Sequence, residues 1–151
     1  MSEVAQMPVP KYSISVVLPE QAASFWAEVS GYLTKAIDRS RNRWTLEHLL
    51  AKICLGKHLL WVAYNAEDQI HGVMTTQVIT YPNNRMLAVQ FLAGENFKDW
   101  GSDMLNKIRS YAKETNCDGI EVTARAGFWP FLKGEGFDRS YIVFEQILED
   151  T

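Results

Sequence analysis

Three consecutive segments rich in aromatic and β-branched residues constrain the fold of this chain more than any other feature. They are HLLWVAYN (58–65), IHGVMTTQVITY (70–81) and RMLAVQFLA (85–93). Such a composition favours strands, and the stretches NAEDQ and PNN between them are rich in turn-forming residues. Because strands joined by short turns usually pair with each other, the sequence predicts an antiparallel meander at the centre of the fold.

Helical and strand patterns flank this meander on both sides. Before it, a short strand leads into two amphipathic helices, the second starting near Thr45 and ending at Gly56. After it, apolar residues recur at helical spacing from Phe97 to Ala112. Three further elements complete the prediction: a strand in GIEVTA (119–124), a short helix in FWPFLKGEG (128–136) and a last strand in SYIVFEQIL (140–148).

The predicted element order is therefore β-α-α-β-β-β-α-β-α-β. The strand that follows the long helix should lie parallel to the strand before that helix, because a helical crossover connects the two. All other neighbours should be antiparallel. The sequence thus predicts an α/β fold with a mixed, mostly antiparallel sheet, whose one parallel pair splays apart.

Length and composition favour one domain in a reducing compartment. The 151 residues, 47% of them hydrophobic, suffice for one packed domain over 12–151 after an N-terminal tail over 1–11. Cys54 and Cys117 lie far apart and share no metal-ligand spacing with histidine, so we expect no metal site. No signal-peptide or membrane-span pattern occurs, which favours a cytoplasmic location without membrane association.

The segment VQFLAGENFKDWGSDML (89–105), together with the element order, resembles the GNAT family of acetyl-CoA-dependent acetyltransferases. The family's signature is a strand, then Arg/Gln-x-x-Gly-x-Gly/Ala, then a helix. Aligned without gaps, Asn96 stands at the Arg/Gln position, Asp99 at the first glycine and Gly101 at the second. The segments WVAYNAEDQIHGVM and WPFLKGEGF also resemble family segments, so the resemblance covers most of the chain.

The resemblance implies a site for acetyl-CoA at the start of the long helix, with no metal. Backbone N–H groups at a helix N-terminus suit a pyrophosphate, and glycines allow close approach. The implied cofactor-binding residues are Phe91, Asn96, Phe97, Lys98, Asp99, Trp100, Gly101 and Ser102. The acidic residues permit a second interpretation, in which this is an ordinary helix start and the Asp99 carboxylate takes the place of a phosphate.

The catalytic groups are less well defined by the sequence. Leu132 stands at the position where the family often has a proton-donating tyrosine. Tyr141 on the last predicted strand and Glu121 in GIEVTA are the candidates for proton donor and base. Each also has a purely structural interpretation, Tyr141 at the edge of the core and Glu121 on the solvent face of a strand.

Two function classes follow from these observations. The first is an N-acetyltransferase with a degenerate cofactor loop, acting on a small-molecule or peptide amine. The second is a non-catalytic GNAT-fold module that binds a protein partner through Phe128 and Trp129, similar to compact bacteriophage-encoded proteins, some of them virion components. In the second class Trp100, Phe131 and Leu132 would fill the cleft between the splayed strands.

Nucleic-acid binding is disfavoured as a third function. Arg39, Arg41 and Arg43 lie close together in sequence, but the net charge of the chain is -3. We expect these arginines to lie in a solvated loop between two helices.

Overall fold

The computed structural model describes residues 11–149. Its elements are β1 (Tyr12–Val17), α1 (Ala22–Asp38), α2 (Leu46–Cys54), β2 (Leu59–Asn65), β3 (Ile70–Thr80), β4 (Arg85–Gly94), α3 (Phe97–Glu114), β5 (Gly119–Val122) and α4 (Trp129–Gly134). Short 3₁₀ turns at Pro19–Gln21 and Ala126–Phe128 lead into α1 and α4.

The five strands form one sheet in the order β1-β2-β3-β4-β5. The first three pairs are antiparallel, and β4 pairs with β5 in parallel, as the crossover through α3 requires. This arrangement confirms the predicted fold class. The meander forms because its strands are consecutive and separated by turns of a few residues.

The sheet carries a hydrophobic core on each face. One core packs α3 against the sheet through Trp100, Met104 and Ile108. The other packs α1 and α2 against it through residues such as Leu33 and Leu49. Side chains alternate between the faces of a strand, so Leu87 and Val89 of β4 both lie on the α3 side. An extra residue at Gln90 shifts this alternation, and Phe91 therefore lies on the α1–α2 side.

Local sequence signals explain where α2 begins and ends. The Thr45 side chain accepts a hydrogen bond from the His48 N–H at 3.2 Å, as an N-cap should. At the other end Gly56 has φ = +74°, the left-handed conformation that follows a helix C-terminus. The turn continues with the N–H groups of Lys57 and His58, which both donate to the Lys52 carbonyl, and this brings the two residues back beside α2.

The predicted final strand is wrong. Within the described part of the chain, 138–149 has no regular secondary structure, and Phe144 is 89% exposed. A strand needs a neighbour with free backbone groups, and β5 offers only four residues. The segment is held instead by Glu145, which contacts Arg41 and Arg43 in the solvated loop after α1.

Across 11–149 no helix is long and apolar enough to span a membrane. Of the predicted N-terminal tail, only Lys11 lies within the described residues.

Candidate functional site

The parallel pair β4–β5 separates halfway along β4. Pairing runs from Met86 opposite Gly119 to Val89 opposite Val122, and it ends where the Thr123 N–H donates to the Val89 carbonyl at 3.3 Å. The rest of β4, from Phe91 to Gly94, pairs only with β3. This is the predicted splay, and it exposes the β5-facing edge of the Phe91 main chain to a cleft.

A bulge in β4 marks the start of the splay. Val89 lies opposite Thr76 and Phe91 lies opposite Thr75, so Gln90 is an extra residue in the β3–β4 ladder. A bulge bends its strand and redirects side chains. The bulge at Gln90 directly follows the last β4–β5 pair, Val89 with Val122. The bend that it introduces directs the end of β4 away from β5.

The N-terminus of α3 follows β4 after two connecting residues. Asn96 precedes the helix in the left-handed conformation, with φ 56° and ψ 38°, and makes no side-chain capping bond to it. Its amide instead donates to the Tyr12 hydroxyl at 3.3 Å. The first turn of α3 therefore keeps the positive end of an 18-residue helix dipole without a side-chain cap.

The Asp99 carboxylate does not substitute for a phosphate in this structure. Among the described residues it bonds the Lys11 ammonium at 2.9 Å, and this bond raises the pKa of Lys11. Lys98 is exposed beside it. The pairing offsets the negative charge of Asp99 at the surface, so this carboxylate does not block the N–H groups of the first turn.

Gly101 and Trp100, two of the implied cofactor-binding residues, also have roles in packing. A Cβ atom on Gly101 would lie 2.7 Å from the Phe97 ring, so the aromatic contact itself requires glycine there. Trp100 is 1% exposed and donates its indole N–H to the Glu95 carbonyl at 2.7 Å. Its ring occupies the space that Gly72 and Gly94 leave open.

Helices α3 and α4 are joined at the mouth of the cleft. The Ser102 hydroxyl donates to the Glu135 carboxylate at 2.5 Å. The Arg109 guanidinium donates to the Glu135 carbonyl at 2.8 Å. Glu135 follows α4 directly, so these bonds hold the end of that helix against α3.

Aromatic side chains close the cleft between β4 and β5 on the α3 side. Phe97 packs edge-to-face on Phe131 with ring centroids 4.7 Å apart, and on Phe128 at 5.6 Å. The void left among Phe97, Phe131 and Leu132 is about 10 Å³, roughly the size of one water molecule. Phe131 and Leu132 fill the cleft as predicted for a binding module, whereas Trp100 packs beside Gly72 and Gly94.

The two candidate catalytic residues do not meet. The Glu121 carboxylate accepts a hydrogen bond from the Tyr81 hydroxyl at 2.7 Å, and this bond raises the pKa of Tyr81 to about 12. Tyr141 is 76% exposed on the irregular segment 138–149. Its hydroxyl makes no hydrogen bond to Glu121 or to any other described residue.

A larger cavity on the opposite face of the sheet was not predicted from the sequence. It has a volume of about 490 Å³ and is lined by Trp44, Lys52, Lys57, His58, Gln77, Val78 and Gln90. These residues come from α2, β3, β4 and two loops, so no local motif identifies them. The only sequence signal is two glutamines inside apolar strands, Gln77 and Gln90.

Metal-ligand clusters are not found in the described structure. No group of three or more His, Cys, Asp or Glu side chains within 11–149 converges so as to hold an ion.

Comparison with known proteins gives a match in structure but not in sequence. No protein-family model matches the sequence, and no curated protein matches it. The fold matches an aminoglycoside acetyltransferase, meta-AAC0020, from an uncultured soil metagenomic sample, solved in complex with sisomicin. The TM-score is 0.69 at 16% identity, over 92% of this chain and 97% of that one.

Two further solved structures agree. Aminoglycoside acetyltransferase HMB0005, also from a soil metagenomic sample, gives a TM-score of 0.70 at 10% identity, covering 91% of this chain and 99% of that one. A GCN5-related N-acetyltransferase from Ralstonia eutropha JMP134 gives 0.67 at 13% identity, covering 90% and 98%. Identities this low establish the fold alone. The chain has the fold of the GCN5-related N-acetyltransferases, the GNAT fold.

Proposed function

We propose that this protein is an N-acetyltransferase that transfers the acetyl group of acetyl-CoA to an amine. One observation carries the proposal: the splay of β4 from β5 after Val89 leads directly into the uncapped N-terminus of α3. A strand edge that can pair with an extended chain then lies beside N–H groups that can hold phosphates. Several solved structures that match this fold are acetyltransferases, which supports the proposal.

The residues fit the phosphate end of acetyl-CoA. The main chain of Phe91 would bond the pantetheine arm, and the backbone from Asn96 to Ser102 would hold the pyrophosphate. Lys98 would add one positive charge. The Asp99 carboxylate lies on Lys11, so the acidic character of this loop is partly neutralised before a ligand binds.

The other end of the cofactor requires a movement of α4. A void of about 10 Å³ does not admit a pantetheine arm, so Phe131 and Leu132 would have to leave the cleft. Helix α4 has only six residues, and none of them is fully buried. Its links to α3 are the bonds of Glu135 and the packing of Phe131 on Phe97. A displacement of α4 that opens the cleft would therefore break this aromatic contact at the edge of the α3-side core.

Glu121 is the better placed of the two catalytic candidates. An amine must be deprotonated before it attacks the thioester that bound acetyl-CoA supplies. Glu121 lies in β5, and its partly exposed carboxylate is oriented by Tyr81 but has lone pairs left for an amine or water. Tyr141 would act as proton donor only after the 138–149 segment folds over the cleft.

A second candidate function rests on the closed cleft. A non-catalytic module that binds a partner has no use for an open channel, and the aromatic packing of Phe97, Phe128 and Phe131 is what such a module would show. Phe128 and Trp129 are half-buried and would be the anchors for a protein partner, with Arg139 stacked on Trp129 at 4.5 Å. A role in a bacteriophage particle belongs to this second candidate.

Thiol release from acetyl-CoA in the presence of a panel of small amines and peptides tests the proposal. We expect release that depends on both protein and amine, and a loss of about 100-fold in Glu121→Gln if Glu121 acts as base. Glu114→Gln, at the exposed end of α3, is the matched control and should keep full activity. No thiol release with any amine at millimolar acetyl-CoA would favour the non-catalytic candidate.

A further inference from the structure

The cavity on the α1–α2 face of the sheet contains a buried histidine without a full set of partners. His58 is 3% exposed, and its ring packs against Trp44 at 5.4 Å. Its Nδ1 atom is buried and has no hydrogen-bond partner among the described residues. Leaving a buried polar atom without a partner is destabilising, so its presence in a cavity wall calls for a ligand or water.

A second polar atom in the same wall is also unsatisfied. The Oε1 atom of Gln90 is buried and has no partner within the described structure. Gln90 is the bulge residue of β4, and it follows the last residue that pairs with β5. The cavity therefore meets β4 at the point where the cofactor cleft begins on the opposite face.

The charges around the cavity have one sign. Lys52 and Lys57 line it, and no carboxylate does. Neither ammonium group forms an ion pair with a carboxylate of the described residues. Burial lowers the pKa of His58, a hydrogen bond with Gln77 opposes this, and the charge of Lys52 lowers the pKa further. The net shift is downward, so the ring is neutral and adds no third cation at neutral pH.

We propose that this cavity binds a small anionic molecule, whose carboxylate or phosphate group is held by Lys52 and Lys57. The neutral His58 ring and the Gln90 amide bond its remaining polar atoms. A volume of about 490 Å³ suits a metabolite rather than a polymer. The two lysines repel polycations such as sisomicin, the ligand in one of the matching structures.

This inference rests on the proposed function in one respect, because it names the acceptor class: an amine that also carries an acidic group. With its acid on the lysines at the α2 end, the ligand would extend its amine along Gln90 toward the splay. Ligand binding itself does not require acetyl transfer, so the two claims can fail separately.

Nuclear magnetic resonance titration of the protein without acetyl-CoA tests the inference. The probes are O-phosphoethanolamine, ethanolamine and inorganic phosphate, and the reporter is the indole N–H of Trp44, assigned with Trp44→Phe. The Trp100 indole, which is buried on the other face and bonded to Glu95, is the internal control. We expect O-phosphoethanolamine to shift the Trp44 signal and to bind about tenfold more tightly than ethanolamine.

Lysine variants show where the anion binds. The double variant Lys52→Gln, Lys57→Gln should weaken binding of O-phosphoethanolamine about tenfold or more. Lys35→Gln is the matched control, because Lys35 occupies the last turn of α1 as Lys52 occupies the last turn of α2. That control should bind as the unmodified protein does.

Three results would overturn the inference: no shift at Trp44 with either anion, equal affinity for ethanolamine, or undiminished binding in the double variant. Binding at Trp44 without thiol release from acetyl-CoA would leave the anion site in place and contradict the proposed acetyl transfer alone. Thiol release without any shift at Trp44 would contradict the anion site and leave the proposed acetyl transfer in place.

Discussion

Packing against the Trp100 indole restricts two strand positions, 72 and 94, to glycine. A Cβ atom on Gly72 would lie 2.3 Å from the ring, and one on Gly94 would lie 3.0 Å from it and 2.2 Å from the His71 carbonyl. Gly94 also has φ = +149°, a backbone conformation that residues other than glycine rarely adopt. These two glycines are thus explained by packing against α3 and not by a ligand.

Replacing Gly72 with alanine should destabilise the fold. The added methyl group must displace a ring that is 1% exposed, and such overpacking costs about 1–3 kcal/mol in the free energy of unfolding. Urea denaturation measures this loss. Gly31→Ala is the control, because a Cβ there meets nothing within 4 Å in the middle of α1, and it should gain about 0.5–1 kcal/mol. A neutral Gly72→Ala would mean that Trp100 is not packed as described.

His58 gives the protein a stability that depends on pH. Burial lowers the pKa of His58 below its usual value of 6.5, so the unfolded chain binds this proton more readily than the folded one. The contribution is complete above pH 6.5 and decreases as the pH falls from 6.5 toward the folded pKa, by at most about 1.4 kcal/mol per pH unit.

Denaturation measured from about pH 5 to about pH 8, the range in which histidine side chains titrate, determines this contribution. In His58→Gln the decline below pH 6.5 should be smaller than in the unmodified protein. His48→Gln, at an exposed position in the first turn of α2, should leave the decline unchanged. Identical pH profiles for His58→Gln and the unmodified protein would show that His58 is not buried as a neutral ring.

At the scale of elements, the start of α3 combines a free helix dipole with an acidic side chain. Removing the charge of Asp99 should strengthen binding of a pyrophosphate there, because a carboxylate beside it is repulsive. We expect Asp99→Asn to bind acetyl-CoA about two- to fivefold more tightly, which corresponds to the interaction energy of one charge with a helix end. Calorimetry measures the affinity. Asp103→Asn, farther along α3, should change it less, and weaker binding in Asp99→Asn would place Asp99 outside the phosphate path.

The elements differ in how far the sequence predicts them. Helix α2 was predictable because Thr45 is typical of a helix start and Gly56 of a helix end. Helix α3 was predictable because its apolar stripe is long. The final strand was not predictable, although its residues are rich in aromatic and β-branched types. A strand also needs a partner edge, and that depends on the length of β5.

The same distinction applies to the candidate site. The loop from Asn96 to Ser102 is a local motif, so its position could be predicted from the sequence. Whether the cleft is open depends on how Phe131 packs on Phe97. The cavity on the other face depends on α2, β3, β4 and two loops. Contacts between distant residues leave no spacing pattern in the sequence, so neither feature could be foreseen.

At the scale of the whole molecule, the sheet separates two spaces that meet at one strand. The cleft lies on the α3 side and the cavity on the α1–α2 side. In β4 the bulge residue Gln90 lines the cavity, and its neighbour Val89 lines the cleft. A transferase needs such an arrangement, in which donor and acceptor reach a common point from different directions. The closed cleft makes the position of α4 the feature that decides between the two candidate functions.

Titration with acetyl-CoA, followed by nuclear magnetic resonance of the backbone amides, tests whether the splay and the start of α3 bind the cofactor. We predict the largest shifts in two places, at Phe97 to Ser102 in the first turns of α3 and at Phe91 to Ala93 in the splayed part of β4. Signals of Phe131 and Leu132 should also move as α4 leaves the cleft. An absence of shifts at millimolar acetyl-CoA, or shifts confined to other surfaces, would contradict the account.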